Sequence, residues 1–270
     1  MPDLIYIPES VNAALPEARR RITHPFHKLD TKYLLSRANF RTFDFDLYGA
    51  QRADGAWENR VEGADWYATL LMRSFIHDNE IDRVMRERAG QIEQALTAIP
   101  AGITLDPVTL NDQELCAKLA TLFNAVRGPT RSGISLAKVT KLLCLKRPML
   151  IPMLDRNVCL GLGSPIVTSV APAFGPAVID IIRAFQAILV WSGIVDGEPH
   201  DNQDKVNALA AEITLKIDGE MENRGCGWAG CRPVVTPVRV LESLIWFDWG
   251  GWKNWPTMWQ EGPAGIEPAP

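Results

Sequence analysis

The chain has 270 residues, 47% of them hydrophobic and 22% charged, and 28 Lys and Arg against 32 Asp and Glu leave a net charge of -4. A mean hydropathy of -0.04 and a pI near 5.6 describe a globular chain long enough for one large core or two lobes. They exclude a protein coated in positive charge for indiscriminate nucleic-acid binding. The N-terminus lacks the basic and apolar regions of a secretory signal, which makes the cytoplasm the expected compartment. The most apolar stretch, 176–195, carries Asp180, Arg183 and Gln186 at i+3 spacing, so it reads as a core helix and no membrane association is expected. The five cysteines (Cys116, Cys144, Cys159, Cys226 and Cys231) are an odd number in a long chain, three of them inside apolar helical patterns, so buried free thiols are expected and not a disulfide framework.

In chain order, Phe43 to Leu47 alternates with period two, but five residues are too few to define a sheet. Residues 64–76 place Trp66, Tyr67, Leu70, Leu71 and Ile76 near one helical face. Residues 80–98 do the same with Ile81, Val84, Met85, Ile92 and Leu96. Asn111 or Asp112 caps the next helix, which carries Leu115, Leu119, Leu122, Phe123 and Val126 and ends at Gly128-Pro129. Ser135 is the expected N-cap of a helix through Lys146, stopped by Pro148. The extended run Met149 to Leu154 leads to Asp155, an N-cap for the segment that follows. Further helices are expected at 174–191, 202–217 and 237–248, and the fold class is all-α.

Charge is unevenly distributed. Residues 127–156 hold seven Lys or Arg (Arg127, Arg131, Lys138, Lys141, Lys146, Arg147, Arg156) and one acid, a net +6, so the other 240 residues carry -10. A second basic stretch, 19–41, has seven Lys or Arg and only Asp30. Such runs are commonly solvated helix faces. A helix, glycine turn, helix arrangement adds a reason for a phosphate, because Gly128 to Ser135 would expose backbone N–H groups at the start of the second helix. Lys138 and Lys141 fall off the Val139, Leu142, Leu143 face and are expected to flank a bound phosphate. The hairpin would position a duplex without reading its sequence.

Gly133-Ile134-Ser135-Leu136-Ala137-Lys138, followed by Ile151-Pro152-Met153-Leu154-Asp155-Arg156-Asn157-Val158, resembles the helix-hairpin-helix of the DNA glycosylase superfamily that includes endonuclease III and the adenine mismatch glycosylases. There a hairpin of G-V-G type precedes an extended segment ending in the catalytic aspartate, often within a P-I-L-D-G-N-V-like string. The string from Lys141 to Asp155 also resembles an uncharacterised bacterial family in which K-L-L, K-R-P and I-P-x-x-D recur. The glycosylase resemblance covers about 30 residues. It implies a two-lobed fold, with 61–155 as the hairpin-bearing lobe and 156–261 as a C-terminal helical lobe. The N-terminal segment, 1–60, would pack with the latter, and 262–270 would form a disordered tail. It further implies duplex DNA as partner, Arg131, Gly133, Ser135, Lys138, Lys141 and Arg156 as DNA contacts, and Asp155 as the catalytic group.

The spacing permits such a site. The helix from Ala137 to Lys146 carries the chain about 15 Å from the hairpin, and the eight residues after it span up to about 26 Å when extended. Asp155 can therefore return beside the hairpin, where a carboxylate would stabilise positive charge on a deoxyribose as the base departs. The lysine of bifunctional members would stand 18 residues before the aspartate, at Ala137, so the resemblance implies a monofunctional glycosylase. The second hairpin glycine is Ser135, and the usual L-P-G entry is absent. The alternative is a non-catalytic DNA- or protein-binding module on the same scaffold; a small-molecule enzyme reusing the cleft is a third. No metal or cofactor is expected: Cys226 and Cys231 form C-x4-C with no second pair. Trp246, Trp249, Trp252, Trp255 and Trp259 read first as packing anchors, then as a base-stacking wall or a protein-partner surface.

Overall fold

The computed structural model describes residues 4–13, 27–38, 43–52, 57–72, 76–129, 134–164, 166–223 and 235–248. Helices dominate. The N-terminal strand β1 (Leu4–Ile7) pairs antiparallel with β2 (His27–Asp30), Leu4 opposite Asp30 and Ile7 opposite His27. Short helices follow β1 and β2: α1 (Glu9–Ala13) and α2 (Thr31–Arg37), the latter capped by Asp30 accepting from Lys32 N and Tyr33 N. The period-two stretch at Phe43 is helical, opening α3 (Asp44–Arg52); Asp44 and Asp46 in its first turn suit the positive end of a helix dipole better than they suit a half-buried strand.

The helix expected over 64–76 is α4 (Gly63–Ala68), which tightens into a 3-10 turn over Thr69–Met72. The 80–98 periodicity resolves into two helices, α5 (Asp78–Glu87) and α6 (Ala89–Thr97), broken at Arg88. Arg88 turns its guanidinium onto the last turn of α7 (Gln113–Arg127), donating from Nη1 to Val126 O at 3.0 Å. Asp112 caps α7 through Glu114 N and Leu115 N, and Gly128 ends it with φ 71, as expected of a C-terminal glycine. The remaining helices are α8 (Leu136–Lys146), α9 (Arg156–Gly161), α10 (Phe174–Leu189), α11 (Asn202–Asn223) and α12 (Pro237–Asp248). Between α10 and α11 lies a hairpin, β3 (Ser192–Val195) with β4 (Glu198–Asp201), turned at Asp196 and Gly197, both with positive φ.

Helices α7 and α10 pack against each other. A Cβ on Gly175 would sit 2.3 Å from Ala120 O, so only glycine allows the two backbones to approach this closely. Asn124 locks the crossing, accepting from Gly175 N at 2.9 Å and donating to Pro172 O at 3.1 Å. The N-terminal elements pack on α11 and α12, where fully buried Asn202 bonds both backbone groups of Tyr6 as well as Ile188 O. One continuous apolar cluster runs from Ile5 to Ile245. Cys116, Cys144 and Cys159 are buried free thiols within it or its smaller neighbour, as expected. Among the described residues no helix is long and apolar enough to cross a membrane. In α10, Asp180 and Arg183 are exposed and paired at 3.0 Å, while Gln186 turns inward to Asp106 O.

Helix α8 is enclosed on nearly every side, which overturns the expectation that its cations face solvent. Lys146 and Arg147, counted in the basic segment, are fully buried. Lys146 Nζ pairs with Asp65 Oδ2 at 2.9 Å and lies 3.5 Å from the Trp57 ring centroid. Asp65 accepts further bonds from Trp57 Nε1, Tyr48 Oη and Glu62 N. An ion in such a site is tolerated only with its partner, and removing one member of a buried pair typically costs about 3–5 kcal/mol. Asp65→Asn is therefore expected to lower stability by about 3 kcal/mol or more in urea unfolding, with Asp65→Leu/Lys146→Met recovering a large part of the loss. Equal stability of Asp65→Asn and wild type would rule out this pair as a structural tie.

Candidate functional site

An open cleft of about 930 Å³ lies beside the first turn of α8. Ser135, Leu136 and Ala137 line it, together with Leu154, Asp155 and Arg156 at the start of α9, Arg127 at the end of α7, and the segment 166–173 leading into α10. Ser135 and Asp155 are 20 positions apart in sequence, so the extended return between α8 and α9 is what brings them to one cleft.

Local chemistry places Asp155. Its backbone is extended (φ -87, ψ -177), and Oδ1 accepts from Asn157 N at 2.9 Å and Val158 N at 3.0 Å, the expected N-cap. The preceding residue is tied to α8: Leu154 N donates to Thr140 Oγ1 at 2.9 Å, while that hydroxyl donates to Leu136 O at 3.0 Å. Thr140 is fully buried in the interior of α8, and no local motif in the sequence marks it as the strut under Asp155. The cap occupies Oδ1 only, and half-buried Asp155 remains on the cleft wall.

The expected DNA contacts divide sharply. Ser135, Asp155 and Arg156 share the cleft, and Arg156 is exposed. Arg131 and Gly133 lie outside the described residues. Lys138 is half-buried and donates to Glu80 Oε2 on α5 at 3.1 Å. Burial alone pushes the Glu80 carboxyl up, but the Lys138 and His77 N–H bonds outweigh it and hold the group below its ordinary value. Lys141 is buried and donates to Met72 O at 2.6 Å, a correction to the outward direction expected from helical spacing. Burial depresses its ammonium pKa against the pull of Asp155 and Glu242. Arg127, Lys141, Lys146 and Arg147 are all buried, so Arg156 is the exposed cation among the described members of the +6 segment.

Behind Asp155 lies a buried charge network that the sequence does not announce. Arg239 of α12 donates from Nε to Asp46 Oδ2 of α3 at 3.1 Å, from Nη1 to Ser243 Oγ at 2.9 Å, and also from Nη1 to Glu242. Asp46 and Arg239 are 193 positions apart. Glu242 is pushed up to about 7, first by burial, then by the negative charges of Asp155 and Asp46 against the pull of Arg239. Burial likewise raises Asp46. Around Arg239 and Lys141 stand the carboxyl groups of Asp46, Glu242 and Asp155, with Asp44 beside Asp46 and pushed up to about 6 chiefly by burial, so protonating one of them relieves the excess of negative charge. Cys159, on the cleft wall, has its thiol pushed up to about 12 by burial and by Asp155, which leaves it no thiolate for nucleophilic work at neutral pH.

The family model that matches residues 27–248 is described as a family of unknown function, DUF6308. The chain belongs to that family. The match takes in every residue of the cleft and of the charge network behind it. No curated protein and no solved structure matches the chain. The C-x4-C pair and Trp249, Trp252, Trp255 and Trp259 lie outside the described residues. Trp246 is half-buried, edge-on to Phe247 with centroids 5.3 Å apart, and packs on the core.

Because Glu242 titrates near 7 in the folded chain against an ordinary value of 4.5, folding takes up a proton between those pH values. Its contribution to stability is therefore fully present below about 4.5 and lost as pH rises through about 7. Glu242→Gln is expected to flatten this part of the stability profile, read by urea unfolding at pH 5, 6, 7 and 8. Parallel profiles for variant and wild type would show that the proton resides elsewhere.

Proposed function

We propose that the chain is a DNA-binding protein with a two-lobed, helix-hairpin-helix glycosylase-like scaffold, and that its cleft removes a damaged or mismatched base with Asp155 as the catalytic carboxylate. The observation that carries the proposal is the shared cleft of Asp155 and the α8 N-terminus. A volume of about 930 Å³ suits a nucleotide swung out of a duplex. In the reaction the bond between the base and C1′ breaks with its electron pair leaving on the base, and the base takes up a proton. Positive charge develops on the sugar, water adds at C1′, and its proton is lost. A carboxylate oriented by two backbone N–H groups is suited to stabilise that charge or to orient the water.

A hydrolase fits the cleft better than a lyase. Ala137 occupies the wall where a Schiff-base lysine would stand, Lys138 is engaged by Glu80, and Lys141 is engaged by Met72 O. The inward direction of the basic segment favours a second reading, in which the same cleft serves a free nucleotide and needs no broad duplex-binding face.

The test incubates the full chain with duplexes carrying a panel of damaged and mismatched bases and measures abasic-site formation. Asp155→Asn is expected to lower the rate roughly 100-fold or more while duplex affinity changes little. Full activity in that variant would remove the catalytic role. Duplex affinity is expected to fall with salt, and Arg156→Glu to weaken it further. Salt-sensitive binding with no product across the panel would favour the non-catalytic DNA- or protein-binding module, with the segment after Trp246 as a second docking surface. Cleavage of free nucleotides alone would favour the second reading.

A further inference from the structure

Arg127 is a buried charge on the cleft wall. It is 5% exposed, closes α7, and lines the cleft together with Ser169 and Asp155. Its Nε donates to Ser169 O at 3.2 Å, and its guanidinium carbon lies 5.6 Å from the Phe174 ring centroid, so main chain and ring both hold the group in position. Its Nη1 is buried with no hydrogen-bond partner among the described residues, and the Ser169 hydroxyl is in the same condition. No carboxylate pairs with Arg127 among the described residues. The nearby guanidinium of Arg88 adds like charge, and burial weakens the ionisation of both.

A desolvated guanidinium without a counter-anion is costly. The first turn of α8 opens on the same cleft, and Ser135 makes no side-chain capping bond to it, which leaves first-turn N–H groups for another acceptor. We infer that Arg127, Ser169 and the first turn of α8 form an oxyanion subsite of the Asp155 cleft, and that it takes the phosphate of a nucleotide or of a nucleic-acid backbone. A guanidinium and a row of N–H groups match the several acceptor oxygens of a phosphate. Choosing phosphate rests on the nucleotide reading of the cleft proposed above; the existence of an oxyanion site does not.

Inorganic phosphate, with sodium chloride at equal ionic strength as the control, is the first probe of the full chain. Phosphate is expected to raise the thermal midpoint of the wild type beyond chloride, and 31P line broadening is expected to report the bound ion. Arg127→Met is expected to weaken phosphate binding at least tenfold, Arg127→Lys to retain part of it, and Ser169→Ala to cost a few-fold. Asp155→Asn is expected to keep it, and phosphate binding by a wild type that removes no base from any duplex of the panel would leave the subsite standing while the glycosylase reading falls. An identical response of the wild type to phosphate and chloride would overturn the subsite whether or not Arg127→Met folds, as would undiminished binding in that variant. Competition then assigns the source. Displacement of phosphate by a short duplex points to the backbone, displacement by a 2′-deoxynucleoside 5′-monophosphate alone points to a free nucleotide, and displacement by neither overturns the nucleotide assignment.

Discussion

Arg147 has no exposed surface, and all its donors are consumed by the interior. Nε and Nη2 reach Ile99 O, Nη2 also reaches Leu96 O and Asn59 Oδ1, and Nη1 reaches Glu58 O and Lys146 O. One side chain thus ties the end of α8 to the terminal carbonyls around α6 and to the 3-10 turn at Trp57–Asn59. Positive charge at a helix C-terminus is favourable, and the carbonyls left open there need donors. Next to it the Lys146–Asp65 pair performs the same task toward α4. Helix α8, which packs on α3, α4 and α7, thus has the charges of its last turn satisfied from within the fold.

That constraint decides what the cleft can be. With the far end of α8 clamped and Thr140 bonded to Leu154 N, the chain returning from Pro148 has little freedom in where it delivers Asp155. The same enclosure removes Lys141, Lys146 and Arg147 from any contact with an external polyanion. The electrostatics of the site therefore come from a few groups: Arg156 at the surface, Arg127 in the wall, the α8 N-terminus, and the Asp46, Arg239, Glu242 and Lys141 network behind Asp155. The charge of Asp155 acts on Glu242 of α12 and Lys141 of α8, so a change in protonation at Glu242 changes the field at the cleft without any movement of the backbone.

Helix positions were legible because their signals are local. Asp112 and Asp155 cap where expected, Ser135 stands at its N-cap position without a side-chain bond, and Gly128 ends α7, since each depends on bonds or dihedrals within a few residues. The β3–β4 hairpin carried a readable signal in Asp196-Gly197, which was masked by the helical periods on either side. The β1–β2 pair carried none: Leu4 to Ile7 is a four-residue apolar run whose partner begins 20 residues after it ends. The period-two reading of Phe43 to Leu47 gave way to a helix because its acids lie in a first turn, and one of them, Asp46, is held by Arg239 from across the molecule.

By itself the sequence determined the helical class, the caps, the buried thiols and the presence of Asp155 after an extended return, all consequences of short-range geometry and apolar spacing. Only the tertiary structure decided the direction of each charge. Lys138 and Lys141 differ by three positions on one helix, yet one reaches Glu80 and the other Met72 O, because α5 and the turn after α4 cover that face. Whether a lysine meets solvent, an acid or a carbonyl depends on which distant element packs over it, and a net charge summed along the chain contains no such information. The same holds for Arg127, one cation among seven in the 127–156 segment, which the packing of α7 against α10 makes a buried charge on the cleft wall with no carboxylate partner among the described residues.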